Sequence, residues 1–369
     1  MARLLSPHCG WRTNRKIVVI ESDDWGSARL PNRMSQKKYF AANPKAEKCA
    51  YLKFDCLESD TDLERLGNVL SSLRDSTGRS LSFTPNYIMA NPDFKAIRAN
   101  SYKSFHFEIF TETMHRNGHS EDALAKINGL RAEGLWWPQF HGREHVNIPR
   151  WLAALRNNVP EVKTAFDLEI YGVSVQCAPS LKKSVLQSYT IDMPSETAEK
   201  MESLSSGCKI FEEIFGFSSR TFIPPNYVFA SAMHRELGRL GIEGLQGLSV
   251  IRWPECERKS DGIRILGRRD NSALITLTRN VFFEPSLHPK KDNVDAAMSQ
   301  ISQAFLNRKP AVICSHRVNF MGGISIKNQD AGLRQLSDLI DRAKVAWPDI
   351  EFISTCELLT ELKKREPHA

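Results

Sequence analysis

Two adjacent carboxylates, Asp23 and Asp24, follow the apolar run KIVVI (16–20) within ESDDWGS. Neighbouring carboxylates repel unless a cation or a donor divides their roles, and a metal would make one a ligand and leave the other as a base. An acidic turn or helix cap uses the same residues. The segment HGREH places His141 and His145 four residues apart. At that spacing two imidazoles lie on one side of a helical turn and can share a metal. The same five residues fit H-x-x-E-H, an inverted zinc-protease pattern with Glu144 as base, which needs a helix and a distant third ligand. The preceding WWPQF (136–140) instead reads as a strand entering a loop. Ser315-His316-Arg317 follows the apolar AVIC (311–314). A histidine at a strand end suits acid–base work, and a structural histidine bonded to backbone is the alternative. Cys314 is expected in the core, on the opposite face.

These residues need elements to position them. KIVVI reads as a buried strand, and LSFTPNYIMA (81–90) as a strand with its trailing loop. LWWPQF (135–140), RTFIPPNYVF (220–229), parts of 262–286, AVICSHR (311–317) and IEFIS (350–354) read as further strands. Helices are expected over 61–75, 120–134, 150–157, 195–215, 231–240, 292–307, 329–346 and 356–364. Residues 30–60, with Pro31 and Asn43-Pro44 and few periodic signals, read as an irregular insertion or cap. Strands alternating with helices imply a parallel sheet with helical crossovers. About seven strand-then-loop units, with polar clusters just after the strands, favour a complete or partial barrel whose chemistry sits at that rim. The whole chain, 1–369, reads as one catalytic domain.

Composition narrows the class. The 369 residues are 41% hydrophobic and 25% charged, which excludes collagen-like, coiled-coil and wholly disordered chains. Fifty Lys+Arg against 43 Asp+Glu leave +7, which permits an anionic partner without demanding one. No run of five basic residues occurs, so nucleic acid is not expected as a partner. Eight cysteines occur without a CxxC, which removes zinc-ribbon and thioredoxin-like readings and suits buried reduced thiols. No apolar stretch of 18 residues exists, and MARLLSPHCGWRTNRK (1–16) lacks the apolar core of a secretory signal. The expected location is cytoplasmic. The sequence does not specify an oligomeric state.

In combination, these motifs resemble the polysaccharide deacetylases of the NodB-homology, carbohydrate esterase family 4 type. VVIESDDWG is similar to that family's first motif, HGREH to its second and AVICSH to its last, with FISTCELL (352–359) like its closing strand and helix. The resemblance implies a distorted (β/α)7 barrel with an insertion after the first strand. It implies Asp23 as catalytic base, His316 as general acid, and Asp24, His141 and His145 as ligands of a divalent metal, Zn²⁺ first, with Co²⁺, Ni²⁺ or Mn²⁺ as others. The family's third motif carries an Arg before Pro-Pro; here Ile223 occupies that place in FIPPNY (222–227). Arg220, Arg143 or Arg317 are the candidate substitutes. No fourth motif of the family's kind occurs, and NVFFEPS (280–286) is its one candidate replacement.

The implied activity is metal-assisted deacetylation of an N-acetylated or O-acetylated sugar or glycan, with the Tyr227 backbone N–H as a candidate oxyanion donor. Tyr227, Asn226, Arg143 and Trp25 are the candidate substrate-binding residues. The rim aromatics, with Tyr87, Trp136 and Trp137, could stack on sugar rings or pack in the core; Asn86 and Asn91 could bond hydroxyls or make turns. Glycoside hydrolysis by Asp23 with Glu144 or Glu284 is the second hypothesis. A glycan-binding protein with a degenerate site is the third.

Overall fold

The computed structural model describes residues 9–118, 121–254, 257 and 262–364. Its main sheet contains nine strands, which we number β1 (Lys16–Trp25), β2 (Phe83–Ile88), β3 (Gln139–Gly142), β4 (Thr221–Phe222), β5 (Gly244–Leu248), β6 (Ile275–Arg279), β7 (Val281–Phe282), β8 (Ala311–His316) and β9 (Ile350–Phe352). Eight of them pair in the order β6-β5-β4-β3-β2-β1-β8-β7, and β9 pairs with β1. All of these pairings are parallel. The two ends of the path, β6 and β7, are separated only by Asn280. The ring therefore comes round on itself and forms a nearly closed parallel barrel, as the strand–helix alternation predicts.

Alternation along the strands builds the barrel in layers. On β1, Val18 and Ile20 face the surrounding helices, in one cluster with Leu63, Leu66 and Leu336. Ile17 and Val19 face inward, with Ile275, Leu277 and Val312. The C-terminal helix Thr355–Lys364 adds Leu358, Leu359 and Leu362 to that inner cluster and closes the bottom of the barrel. Above this apolar plug the inward positions turn polar: Glu21, Gln139, Thr221 and Gln246, all buried. The next step up carries Asp23, Asn86, His141 and Arg279 at strand C-terminal ends. Sequence and topology together thus put apolar residues at the base and ionisable ones at the rim.

The segment after β1 differs from expectation. Residues 30–60 are not irregular: they hold α1 (Arg33–Ala42), a 3₁₀ turn at Pro44–Lys48 and α2 (Ala50–Phe54). Asn32 caps α1 by accepting from the backbone N–H groups of Met34 and Ser35. The apolar content is low because only one side is buried; Tyr39 and Leu52 pack against Ala165, Ile170 and Val173. LWWPQF also forms less strand than expected. Pro138 cannot donate to a ladder, and regular pairing begins at Gln139. Cys256 and His119 lie outside the described residues; the other seven cysteines are free. Among the described residues, no helix is long and apolar enough to cross a membrane.

Candidate active site and metal centre

A backbone irregularity brings both carboxylates into one place. The register between β1 and β2 shifts between Ser22 and Trp25, and Asp24 adopts φ 76°. A regular strand would send Asp23 and Asp24 to opposite faces; the bulge lets both line one cavity. It also flips the next residue. Trp25 would otherwise point inward, but it turns outward against Phe83 and Trp136 (ring centroids 5.9 and 4.7 Å) and is fully buried. Its Nε1–H donates to Ser22 Oγ at 3.0 Å. Trp25 is therefore a packing residue and not a sugar platform. Tyr87 and Trp136 join the same buried aromatic layer.

Asp23 is fully engaged. Arg279, at the end of β6, donates from Nη1 to Asp23 Oδ2 (2.6 Å) and from Nη2 to Oδ1 (2.7 Å). Asn86 Nδ2 donates to Oδ1 at 2.9 Å. Arg279 Nε in turn holds Glu21 Oε2 at 2.6 Å. Burial opposes the charge on Asp23, yet the Arg279 guanidinium outweighs it and lowers the carboxyl to about 2. Arg279 is thus the arginine that holds Asp23. None of the three arginines expected as substitutes pairs with Asp23. Arg220 pairs with Glu243 at the start of β4 and β5. Arg317 is buried with Asp55 and Glu58, fastening the cap segment to the barrel. Arg143 donates to Glu144 (2.6 Å) and to Glu202 (2.9 Å).

His141 and His145 approach Asp24 from a loop and not from a helical turn. His141 is next to last in β3, Gly142 ends it with φ 126°, and the next helix, spanning Ile148–Arg156, starts only after His145. The two imidazole Nε2 atoms lie 3.5 and 3.3 Å from Asp24 Oδ1. One ligand atom from each of the three residues falls within a 4.8 Å span, and all three are buried. His141 Nδ1–H donates to the Ile223 carbonyl at 2.7 Å, which turns its Nε2 toward the cluster. Burial and the nearby Arg29 push His145 down to about 4, so it is a neutral imidazole. Burial disfavours the Asp24 charge, but Arg29 and the two histidines hold its carboxyl well below the usual range. Asp24 Oδ2 is buried without a hydrogen-bond partner. An ionised carboxylate with a free oxygen and two imidazoles are the donor set of a tetrahedral or five-coordinate divalent site, so the three residues could hold such an ion.

His316 completes the floor. Its Nδ1 is 2.6 Å from Glu284 Oε1, and its Nε2 is 3.9 Å from Asp23 Oδ2. Burial lowers its pKa, but Glu284 more than compensates and raises it to about 9. NVFFEPS, the candidate replacement for the fourth motif, therefore supplies the partner of His316. Cys314 does not face away from this floor; it lies two residues before His316 and shares its side, with Sγ 3.3 Å from the Tyr227 hydroxyl.

The cavity over these groups measures about 710 Å³. Asn226 and Tyr227 line it. Both adopt positive φ, 56° and 60°. The Tyr227 N–H is committed to the Pro224 carbonyl at 2.9 Å, so it is not an oxyanion donor. Arg143 is absent from the lining: it is buried, with its guanidinium 4.5 Å from the Phe107 ring centroid. Gly207 of the helix Thr197–Phe215 makes this possible, since a Cβ there would meet Arg143 Cβ at 2.9 Å. Glu144 and Glu284 do not line the cavity either, so neither forms the carboxylate pair that glycoside hydrolysis would require across a sugar. Asn86 and Asn91 are internal: Asn91 Oδ1 accepts from the Ala28 N–H at 2.6 Å. Among the lining residues outside the sequence motifs, one touches the metal cluster. Arg29 lies along Gly172 and donates to Asp24 Oδ1 at 2.7 Å.

No protein-family model matches the chain, and no curated protein does. Solved structures do align with it. A Pseudomonas aeruginosa PAO1 protein assigned as a polysaccharide deacetylase gives a TM-score of 0.49 at 10% identity, over 99% of this chain and 96% of that one. The 4-α-glucanotransferase of Thermococcus litoralis gives 0.48 at 9% identity, over 94% of this chain and 40% of that one. An allantoinase gives 0.45 at 10% identity, over 99% of this chain and 95% of that one.

Proposed function

We propose that the chain is a metal-dependent hydrolase that removes an acetyl group from an N-acetylated, or O-acetylated, sugar or glycan. The observation that carries this reading is the meeting of three functions in one cavity. A buried carboxylate–imidazole–imidazole cluster, an ionised Asp23 and a protonated His316 all face it, with His316 Nε2 and Asp23 Oδ2 3.9 Å apart. Asp24, His141 and His145 would hold the ion, most simply Zn²⁺. A bound divalent ion polarises an acyl oxygen and lowers the pKa of water from 15.7 towards about 7.

The chain's own residues do the rest. Arg279 and Asn86 keep Asp23 ionised and aimed, so that it accepts the proton given up by the attacking water. His316, kept protonated by Glu284, donates to the departing nitrogen or oxygen. Asn226 and Tyr227 border the space the sugar would fill.

The test is acetate release from a panel of N- and O-acetylated sugars by metal-supplemented protein, beside Asp23→Asn. The reading predicts release that the variant loses by about 10²–10⁴-fold, the usual worth of a general base. Acetate release at the same rate by both proteins would count against it.

A further inference from the structure

We infer that the substrate carries an anionic group, a carboxylate or a phosphate, held at the cavity mouth by Lys45, Lys48 and Arg252. This rests on the proposed hydrolase reading and specifies its substrate class. A cavity of about 710 Å³ is larger than attack at one acetyl group requires, and falls in the range that encloses a whole ligand. Its lining therefore recognises the remainder of the substrate. Four cationic side chains line it, Arg29, Lys45, Lys48 and Arg252, against two carboxylates, Asp23 and Asp24. Both carboxylates are already matched at the floor, Asp23 by Arg279 and Asp24 by Arg29. A divalent ion at the floor would add positive charge. The three outer cations are thus left without compensation. Among the described residues, each ion pair engages other partners, and none includes Lys45, Lys48 or Arg252.

Their placement is specific. Lys45 and Lys48 stand three residues apart in the 3₁₀ turn Pro44–Lys48, and side chains at that spacing eclipse on a 3₁₀ helix. Both therefore point the same way, and both line the cavity. The turn is fixed in position: Asn43 Nδ2 donates to the Cys177 carbonyl at 2.8 Å, and Ala46 is fully buried. Arg252 comes from a different wall, through a bridge to Val228, which also lines the cavity. Cations from two walls, over a floor whose charges are matched, form a receptor for one anion and a field that steers it inward. Three exposed charge contacts together amount to about tenfold in affinity, and salt would reduce it.

The experiment is calorimetric binding of three probes to the metal-supplemented protein: N-acetylglucosamine, its 6-phosphate, and N-acetylmuramic acid, which bears a carboxylate. Wild type is compared with Lys45→Ala/Lys48→Ala/Arg252→Ala, at low and high salt, with thermal melts to establish that the variant folds. The inference predicts that at least one anionic probe binds wild type about tenfold more tightly than the neutral sugar. That preference should vanish in the triple variant and shrink with salt. Whether the phosphate or the carboxylate probe leads identifies the anion. Equal affinity for all three probes, an anion preference that survives the triple variant, or no detectable binding of either anionic probe would overturn it. Acetate release from the neutral sugar alone would overturn the anion preference and leave the hydrolase standing. Tight anion binding without acetate release from any probe would do the reverse.

Discussion

Asp23 accepts three hydrogen bonds of 2.9 Å or less, from Arg279 and Asn86, whereas Asp24 beside it leaves one buried oxygen with no partner. The contrast extends to their surroundings. Around Asp23 the network closes: Arg279 also holds Glu21, and Thr355 donates to Glu21 at 2.8 Å. Around Asp24, the Arg29 Nε and His145 Nδ1 are also buried without a hydrogen-bond partner. Buried polar groups are nearly always satisfied, so a free carboxylate oxygen on Asp24 beside two imidazoles marks where a ligand belongs. The first region resembles structure that positions a reactive group. The second resembles a receptor for an ion.

Three variants sharpen this comparison. The largest effect is expected from Arg279→Met. It leaves Asp23 and Glu21 buried without their cation, and breaking such a pair costs about 3–5 kcal/mol. Chemical denaturation of the metal-free protein should show that loss, and acetate release should fall with it. The metal cluster should behave oppositely under chelation. Stripping the ion should lower the melting temperature of wild type, because a ligand present at 100 times its Kd contributes about 2.7 kcal/mol. The same chelator should leave the melting temperature of His141→Ala/His145→Ala unmoved. The smallest effect is a shift in pH dependence. His316 is held at about 9 by Glu284, so an activity that needs its proton persists below that pH and declines above it. Glu284→Gln removes the main force raising it. The descending limb of the pH–rate profile should then move down towards the ordinary histidine value of about 6.5. An unmoved limb would mean that His316 is not the acid.

How much of this was legible in the sequence depended on distance along the chain. Asp23, Asp24, His141, His145 and His316 stand in short local patterns at strand ends, and the structure gathers all five at one cavity. The barrel was legible from strand–helix alternation. Arg279 was not, because its partner Asp23 is 256 residues away and ITLTR carries no signature. Its one signal was a charged residue ending an apolar strand, the same position the other site residues occupy. Trp25 was misplaced because a single-residue bulge at Asp24 reverses every later side chain on the strand. Arg143 was misplaced because it sits between the two histidines in sequence, while Gly142 turns the backbone and the helix carrying Gly207 admits the side chain beneath it. The cap was read as irregular because its helices bury little apolar surface, yet its Lys45 and Lys48 border the cavity.

The central claim is that Asp24, His141 and His145 form a divalent-metal site. Elemental analysis of the purified wild-type protein, beside His141→Ala/His145→Ala, tests it most directly. The account predicts close to one zinc, cobalt, nickel or manganese ion per wild-type chain and essentially none in the double variant. No bound ion in wild type after reconstitution with each of these metals, or equal metal content in both proteins, would contradict it.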